Sequence, residues 1–168
     1  DARTNQTDAT IVIGGEDVAT YTYVLDIGIA SEPVAVTVPI VLIGLAEGSH
    51  TIAVTGIDEL GNVQATPTLY TWIIDITSPI PTISGIPSDP TQLTSATVVV
   101  GGEDVVAFRF SIDGGTFGTE TLAADPLILI NLTDGVHTVA VIGRDDVGNF
   151  QEEINAVAAS WTVDTIAP

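Results

Sequence analysis

The segment ATIVIGGEDV at residues 9–18 returns as ATVVVGGEDV at residues 96–105. The likeness continues without a gap, so that residues 9–64 align with residues 96–151 at an offset of 87, with 24 of 56 positions identical. The copies also close alike, because both end in Trp-x-x-Asp-x-x-x-Pro, from Trp72 and from Trp161. An internal period of this length indicates two consecutive copies of one domain.

The composition and the periodicity of each copy predict β-strands. Apolar residues make up 45% of the chain, and Val, Ile, Thr and Gly are abundant, which is typical of sheets and not of disordered segments. Apolar residues alternate at residues 21–25 and 108–112, and apolar runs stand at residues 40–45 and 127–132. Gly- and Asp-rich turns separate these segments, and no segment carries a helical stripe. The sequence therefore predicts an all-β fold of two tandem immunoglobulin-like β-sandwich domains.

The repeat also predicts the domain boundaries. We place domain 1 at residues 1–78 and domain 2 at residues 79–168, with a short Pro-containing linker between them. Residues 82–87 are expected to form the first strand of domain 2, at a sheet edge because of the proline there. Domain 1 has no equivalent of this strand, because Asp1 aligns with Ser88. Either the chain is a window of a longer repeat array, or domain 1 lacks an edge strand that a neighbouring chain could add, which would build a filament.

The charge of the chain narrows its range of partners. Three Arg, no Lys and 22 acidic residues give a formal net charge of −19. This charge disfavours nucleic acid and anionic membranes, and it is compatible with solvation in salt or with divalent cations. The absence of Cys excludes disulfides and thiolate chemistry. The sequence has no apolar run of about 18 residues that could span a membrane and no signal-peptide pattern, as expected of a mature secreted chain or of a fragment.

Three repeated motifs carry a family resemblance. They are Leu-x-x-Gly-x-His-Thr at residues 45–51 and 132–138, Asp-x-x-Gly-Asn at residues 58–62 and 145–149, and the Trp-x-x-Asp-x-x-x-Pro ending. The chain resembles the tandem bacterial immunoglobulin-like repeats of large surface and secreted proteins, and its His corner is similar to the one that fibronectin type III domains build with Tyr. The resemblance implies an extracellular protein whose repeats act as spacers, stalks or adhesive arms. It also implies that Ca²⁺ could be held at domain junctions, as in some members.

The repeated His and Trp residues are candidates for structure before function. His50 and His137 stand at the same repeat position, each after a Gly turn. A catalytic or metal-binding His seldom recurs in both copies of a structural repeat, so we expect each ring to pack at the sandwich edge and to bond a backbone carbonyl. Catalysis or metal binding is the alternative. Trp72 and Trp161 alternate with apolar residues, which favours the core; exposed, they would offer a platform for stacking sugars.

The acidic turns are the candidate metal site. In an immunoglobulin-like sandwich, the loop after the second strand and the loop before the last strand lie at the same end of the domain, and the last strand of domain 1 ends just before the linker. Carboxylates could therefore converge there on Ca²⁺, which takes roughly six to eight oxygen ligands. The alternative is turn chemistry, in which Asp and Asn bond their own backbone. The candidate junctional ligands are Asp75, Glu103, Asp104, Asp145 and Asp146, and the equivalent set at the open ends is Glu16, Asp17, Asp58, Glu59 and Asp164.

The sequence contains no recognisable catalytic constellation. It has no nucleophile elbow, no phosphate-binding Gly-rich loop before a helix, and no carboxylate pair confined to one copy. We expect a non-catalytic extracellular structural protein that needs no cofactor except possible Ca²⁺ and whose partners are other copies of itself, adjacent repeats or a surface ligand. The alternative is a glycan-binding or accessory module of a larger secreted protein. Asn5 and Asn131 stand in N-glycosylation triplets that a suitable host could use.

Overall fold

Strands dominate both copies of the repeat. The computed structural model describes residues 2–167, and within them the helical content is a single 3-10 turn at Glu153–Asn155. The chain divides into two compact units, Asp1–Ile76 and Thr77–Pro168. Pro168, which ends the second copy's closing motif, lies outside the described residues, as does Asp1. No segment in the described range forms a helix long and apolar enough to cross a membrane.

Unit 1 is built from two sheets. The larger sheet has the strand order β1-β7-β6-β3-β4, and the smaller pairs β2 with β5. All pairings are antiparallel except β1 with β7, which is parallel. The strands are β1 (Ala2–Thr4), β2 (Ala9–Ile11), β3 (Thr20–Leu25), β4 (Val34–Ala35), β5 (Ile40–Leu42), β6 (Gly48–Ile57) and β7 (Thr68–Ile74).

Unit 2 repeats this plan with one addition. Its sheets have the orders β11-β10-β13-β14 and β12-β9-β8. The strands are β8 (Thr82–Ser84), β9 (Ala96–Gly101), β10 (Ala107–Ile112), β11 (Thr121–Leu122), β12 (Leu127–Leu129), β13 (Gly135–Arg144) and β14 (Val157–Val163). The parallel contact of β1 with β7 is reduced here to one bridge between Thr91 and Val163. Strand β8 pairs antiparallel with the free edge of β9 and corresponds to the first strand expected from residues 82–87.

In each unit, the core is filled by side chains from both sheets. In unit 2, Val98 of β9, Phe108 of β10, Val139 of β13 and Trp161 of β14 belong to one buried cluster. Unit 1 has an equivalent cluster around Tyr21. Alternate residues of the strands face this core, as in β9, where buried and exposed positions alternate. Fully burying such a side chain contributes about 1.5–3 kcal/mol. The predicted all-β immunoglobulin-like sandwich is therefore confirmed.

The small sheets of the two units differ at one edge. In unit 2, β8 lies on the edge of β9, whereas in the described part of unit 1 no strand pairs with the corresponding edge of β2. The segment before β2 forms β1, which lies at the edge of the other sheet. Its Thr4 carbonyl accepts a hydrogen bond from Asp75 N at 2.9 Å.

Unit 2 begins slightly earlier than the predicted boundary, because the linker residues pack on its body. The Ser78 hydroxyl donates to the Phe150 carbonyl at 2.8 Å, and Pro79 and Pro81 are buried. Residues 78–81 of the expected linker are thus part of the fold of unit 2.

Glycine substitutions test how closely the segment before β8 approaches Gly102. Gly102 has φ +129°, and a Cβ there would lie 2.6 Å from the Ile80 carbonyl oxygen, whereas Gly135 has φ +130° and no heavy atom within 4 Å of that position. Both Gly102→Ala and Gly135→Ala incur backbone strain of about 1–3 kcal/mol. We expect Gly102→Ala to lower the free energy of unfolding of unit 2 clearly more, as measured by urea denaturation. Equal losses would contradict the contact with the Ile80 carbonyl.

Candidate functional site

Both His residues are fixed in the same corner. In unit 1, His50 Nδ1 lies 2.9 Å from Asp26 Oδ2, and Nε2 lies 2.8 Å from the Ala46 carbonyl. The other Asp26 oxygen accepts the Thr51 N–H at 2.8 Å. The ring packs on Trp72 with 5.7 Å between centroids. The corner thus ties the turn after β3 to the start of β6.

The corner of unit 2 has the same geometry. His137 Nδ1 lies 2.9 Å from Asp113 Oδ2, Nε2 lies 2.8 Å from the Thr133 carbonyl, and Thr138 N–H donates to Asp113 Oδ1 at 2.7 Å. The ring lies 6.1 Å from that of Trp161, centroid to centroid. Since a carbonyl oxygen and a carboxylate oxygen both accept, the doubly protonated imidazolium satisfies both contacts at once.

The backbone carbonyl and the Asp carboxylate both raise the proton affinity of each His ring. The pKa of His50 is raised above 6.5, first by the hydrogen bond to the Ala46 carbonyl and then by that to Asp26. The pKa of Asp26 is lowered below 3.8, first by the Thr51 N–H and then by the His. Unit 2 shows the same directions and the same order of causes. With both nitrogens engaged, neither ring presents a lone pair for metal binding or base catalysis.

The predicted bond from each His to a backbone carbonyl is present in the structure. The sequence pattern predicted turns at Asp26 and Asp113 but did not identify these residues as partners of the His rings. The available signal was that Asp, like His, is identical at the equivalent positions of the two copies.

The two Trp side chains are buried. Trp72 is 5% exposed and Trp161 is 1% exposed, and each belongs to the core cluster of its unit. A sugar-stacking platform requires an accessible aromatic face, so neither Trp provides one. The exposed aromatic of this region is Tyr70, 56% exposed and stacked on Trp72 at 5.9 Å.

The Asp-x-x-Gly-Asn motif closes a turn on itself. Asp145 Oδ1 accepts the N–H groups of Val147, Gly148 and Asn149 at 2.7–3.0 Å, and Oδ2 accepts the Asn149 side chain at 2.7 Å. Asp145 is 1% exposed. Both of its oxygens therefore face the turn's own donors, which is the turn chemistry expected as the alternative to metal binding.

The turn of unit 1 is the same but open to solvent. Asp58 Oδ1 accepts the N–H groups of Leu60 and Asn62 at 2.9 and 2.7 Å, and Oδ2 accepts the Asn62 side chain at 2.7 Å. These hydrogen bonds lower the pKa of Asp58, and the bond from the Asn62 side chain has the largest effect.

The acidic residues of unit 1 meet at one end of the sandwich, as their places in the loops predict. Asp17, Asp58 and Glu59 line an open depression of about 450 Å³, and Glu16 lines an adjoining one with Asp17 and Asp58. Asp17 adopts φ 62° in the Gly-Gly-Glu-Asp turn, as the equivalent Asp104 does with φ 60°. The depression is negatively charged and shallow.

The remaining candidate ligands lie in their separate units. Asp75 belongs to unit 1, is 9% exposed and forms an ion pair with Arg3. In unit 2, Asp164 Oδ1 accepts the Ile166 N–H at 3.1 Å. Over residues 2–167, no group of three or more His, Asp or Glu side chains is arranged to hold a metal ion. The junctional site stays a prediction. The other ligands predicted for it, in unit 2, are Glu103, Asp104, Asp145 and Asp146.

The three Arg residues have partners in the fold. Arg3 pairs with Asp75, and Arg144 makes two hydrogen bonds to Glu120 at 2.8 and 3.0 Å. The guanidinium of Arg109 lies 4.4 Å from the centre of the Phe150 ring. Two of the three positive charges are thus paired with carboxylates, and the many remaining acidic residues determine the field of the surface.

Comparison with known proteins finds similarity among solved structures. No protein-family model matches the chain, and no curated protein sequence matches it. Among solved structures, the fibronectin(III)-like modules of Clostridium thermocellum CbhA share 14% identity and a TM-score of 0.44, over 96% of this chain and 87% of theirs. These modules are of the fibronectin type III-like kind that the repeated motifs of this chain resemble.

Two further structures show the range of proteins that carry similar domains. A Ca²⁺-stabilised adhesin with which an Antarctic bacterium binds ice has 19% identity and a TM-score of 0.43, over 94% of this chain and 43% of its own. The Bacteroides ovatus protein SGBP-B, solved with a mixed-linkage heptasaccharide, has 14% identity and a TM-score of 0.34, over 97% of this chain and 42% of its own. At these identities, the similarity concerns the fold alone, and the ligands of those proteins do not transfer.

The His corners predict a stability that depends on pH in two directions. The raised His pKa gives a contribution that is complete below about pH 6.5 and is lost as the pH rises through the raised value. The lowered Asp pKa gives a contribution that is present above about pH 4 and is lost as the pH falls through the lowered value. We expect His50→Gln with His137→Gln to cost about 1–2 kcal/mol per corner near pH 5–6, and less above the His pKa.

Urea denaturation of wild type and variant across pH measures this difference, and NMR titration of the two rings gives the pKa directly. The control is Asp26→Asn with Asp113→Asn, which keeps the shape of the corner and should move both His pKa values back toward 6.5. A wild-type His pKa at or below 6.5 would contradict the corner as described.

Proposed function

We propose that the chain is a non-catalytic structural segment of an extracellular protein, acting as a stalk or adhesin-type spacer or as the subunit of a filament. The observation that carries the proposal is that the repeated polar motifs serve the same scaffold in both units. His50 and His137 brace matching corners, and Asp58 and Asp145 close matching turns. A catalytic site has no reason to recur in this way, whereas a repeated building block does.

The surface chemistry supports a spacer role. A formal charge of −19 on 168 residues keeps such repeats soluble and discourages nonspecific association with one another and with anionic cell surfaces. The protein has no Cys, so each unit depends on its sandwich core and its corners for stability, which is compatible with secretion.

A second candidate role is glycan binding within a larger secreted protein. One observation favours it, namely that Tyr70 is exposed and is held in place by stacking on the buried Trp72. An exposed, immobilised aromatic ring is suited to the apolar face of a sugar. We rank this role second because the equivalent residue of unit 2 is Ala159, so the feature is not part of the repeat.

Detection of the native protein tests the proposed role. We expect mild protease treatment of intact cells of the source organism to release peptides of this chain. An antibody against it should detect either a band much larger than 168 residues, for a stalk segment, or a short band in filaments seen by electron microscopy. A chain that is protected until the cells are lysed would contradict the proposal.

We also propose that Ca²⁺ reduces the repulsion between carboxylates in the acidic loops. The loops of unit 1 are the ones that we use to test this. Asp17 and Glu59 line the depression there, and Asp17 is exposed. We expect Ca²⁺ to raise the melting temperature of the chain and a chelator to reverse the rise, as followed by calorimetry. The rise should shrink in Asp17→Asn with Glu59→Gln and persist in Glu32→Gln, which removes an exposed charge elsewhere. A melting temperature that Ca²⁺ leaves unchanged would end this proposal.

A further inference from the structure

The two units differ at one edge of the small sheet, and unit 2 shows what covers that edge. There, β8 pairs with β9 in the register Thr82 with Gly101, Ile83 with Val100 and Ser84 with Val99. Ile83 packs against the core of the unit. This segment therefore pairs with the edge of β9 and also packs an apolar side chain against the core.

The residues before β8 extend the cover. Pro79 and Pro81 are buried, and a Cβ on Gly143 would lie 3.3 Å from Pro81 Cδ and 3.5 Å from Pro79 Cγ. A Cβ on Gly102 would meet the Ile80 carbonyl oxygen at 2.6 Å. This segment thus lies directly over both glycines, with its backbone at Gly102 and its proline rings at Gly143.

The same place in unit 1 is an open groove. It has a volume of about 290 Å³, and the described residues that line it include no proline and no covering segment. The three heavy atoms nearest to a Cβ on Gly56, the equivalent of Gly143, belong to the side chains of Val18 and Gln64. A Cβ on Gly15, the equivalent of Gly102, would meet the side chain of Val18. The groove is lined by Ile11, Val12, Ile13, Gly14, Val18, Ile52, Val54, Gly56, Gln64, Thr68 and Tyr70.

The burial of equivalent side chains shows the same difference between the two units. Val98, Val100 and Val141 of unit 2 are 0%, 2% and 0% exposed. Their equivalents in unit 1 are apolar as well but are only half-buried; they are Ile11, Ile13 and Val54. Among residues 2–76, unit 1 therefore keeps the core-forming side chains of a covered edge without a covering strand. An uncovered edge strand is a template for pairing with another chain.

We propose that this groove binds an extended, uncharged Pro-x-Pro-x-Ile strand from a neighbouring repeat of the same kind, which pairs antiparallel with β2 as β8 pairs with β9. The chain itself supplies the argument for this occupant, because the segment after β7 is such a strand and residues 76–88 contain no charge. An uncharged strand can approach a chain of charge −19 without repulsion. The inference rests on the proposed structural role only for the source of the strand.

The full chain and a synthetic peptide of residues 77–87 test this proposal. The chain has no Cys, so Val12→Cys, at an 81% exposed position, gives a single thiol opposite the peptide's Ser84→Cys in the register of β8 on β9. We expect a disulfide to form at position 12, and not with Val41→Cys, which places the thiol on the exposed face of the adjacent strand β5. A peptide with Ile83→Asp should bind at least tenfold more weakly.

A fusion protein covers the groove within one chain and provides a second test. Residues 79–87 fused directly before Asp1 restore the spacing of unit 2, because Asp1 aligns with Ser88. We expect the fusion to raise the melting temperature of unit 1 and to reduce peptide binding at least tenfold. Absence of binding, equal trapping at position 41, or peptide binding unchanged by the fusion would overturn the proposal. None of these results affects the release of the native protein from cells, so failure here and failure of the proposed role are distinguishable.

Discussion

The repeated strand represented by β2 and β9 can be covered twice, at its inner face and at both of its hydrogen-bonding edges. Unit 2 meets both demands on its small sheet, because β8 pairs with β9 while Ile83 packs on the core. Unit 1 meets only the first demand in part, since Ile11 and Ile13 face the core but remain half-buried. The difference between two otherwise equivalent units makes one edge the most informative feature of the molecule.

The corners and turns are the means by which both units keep their loops in place without disulfides. An imidazolium between a carboxylate and a carbonyl ties two loops together at the edge of the sandwich. An Asp that accepts several N–H groups of its own turn fixes the loop before the last strand. Each device is local and short-ranged, so it can be repeated from domain to domain with little dependence on the sequence between. The longest unbroken identical run of the internal repeat, Gly-Gly-Glu-Asp-Val at residues 14–18 and 101–105, likewise surrounds a turn.

Much of this fold is predictable from the sequence, for identifiable reasons. Alternation at residues 21–25 and 108–112 is a local signal, and it predicts β3 and β10. Burial of Trp72 and Trp161 follows from their alternation with apolar neighbours in the last strands. The parallel pairing of β1 with β7 is not predictable in this way, because Ala2–Thr4 is too short and polar for a strand pattern and pairs with residues far along the chain.

The candidate site was predictable only in part. The repeat identified the His corner, but the partner carboxylate stands 24 residues away, and nothing in the local pattern separates it from a turn residue. Likewise, Asp58 and Asp145 occupy the same motif, yet only Asp145 is almost fully buried. That difference depends on packing around each turn, which two identical five-residue patterns cannot encode. The carboxylates of the acidic loops of unit 1 could be placed near one another, but their individual bonding could not be predicted.

The central claim, that unit 1 has an uncovered edge where unit 2 has β8, is tested most directly by amide hydrogen exchange of the full chain, followed by NMR. The amides at residues 99–101 are compared with those at the equivalent residues 12–14. The structure predicts that at least one amide in the unit 2 stretch exchanges slower by roughly a hundredfold or more than its unit 1 equivalent, because β8 protects it. Equal protection at all three pairs would contradict the account.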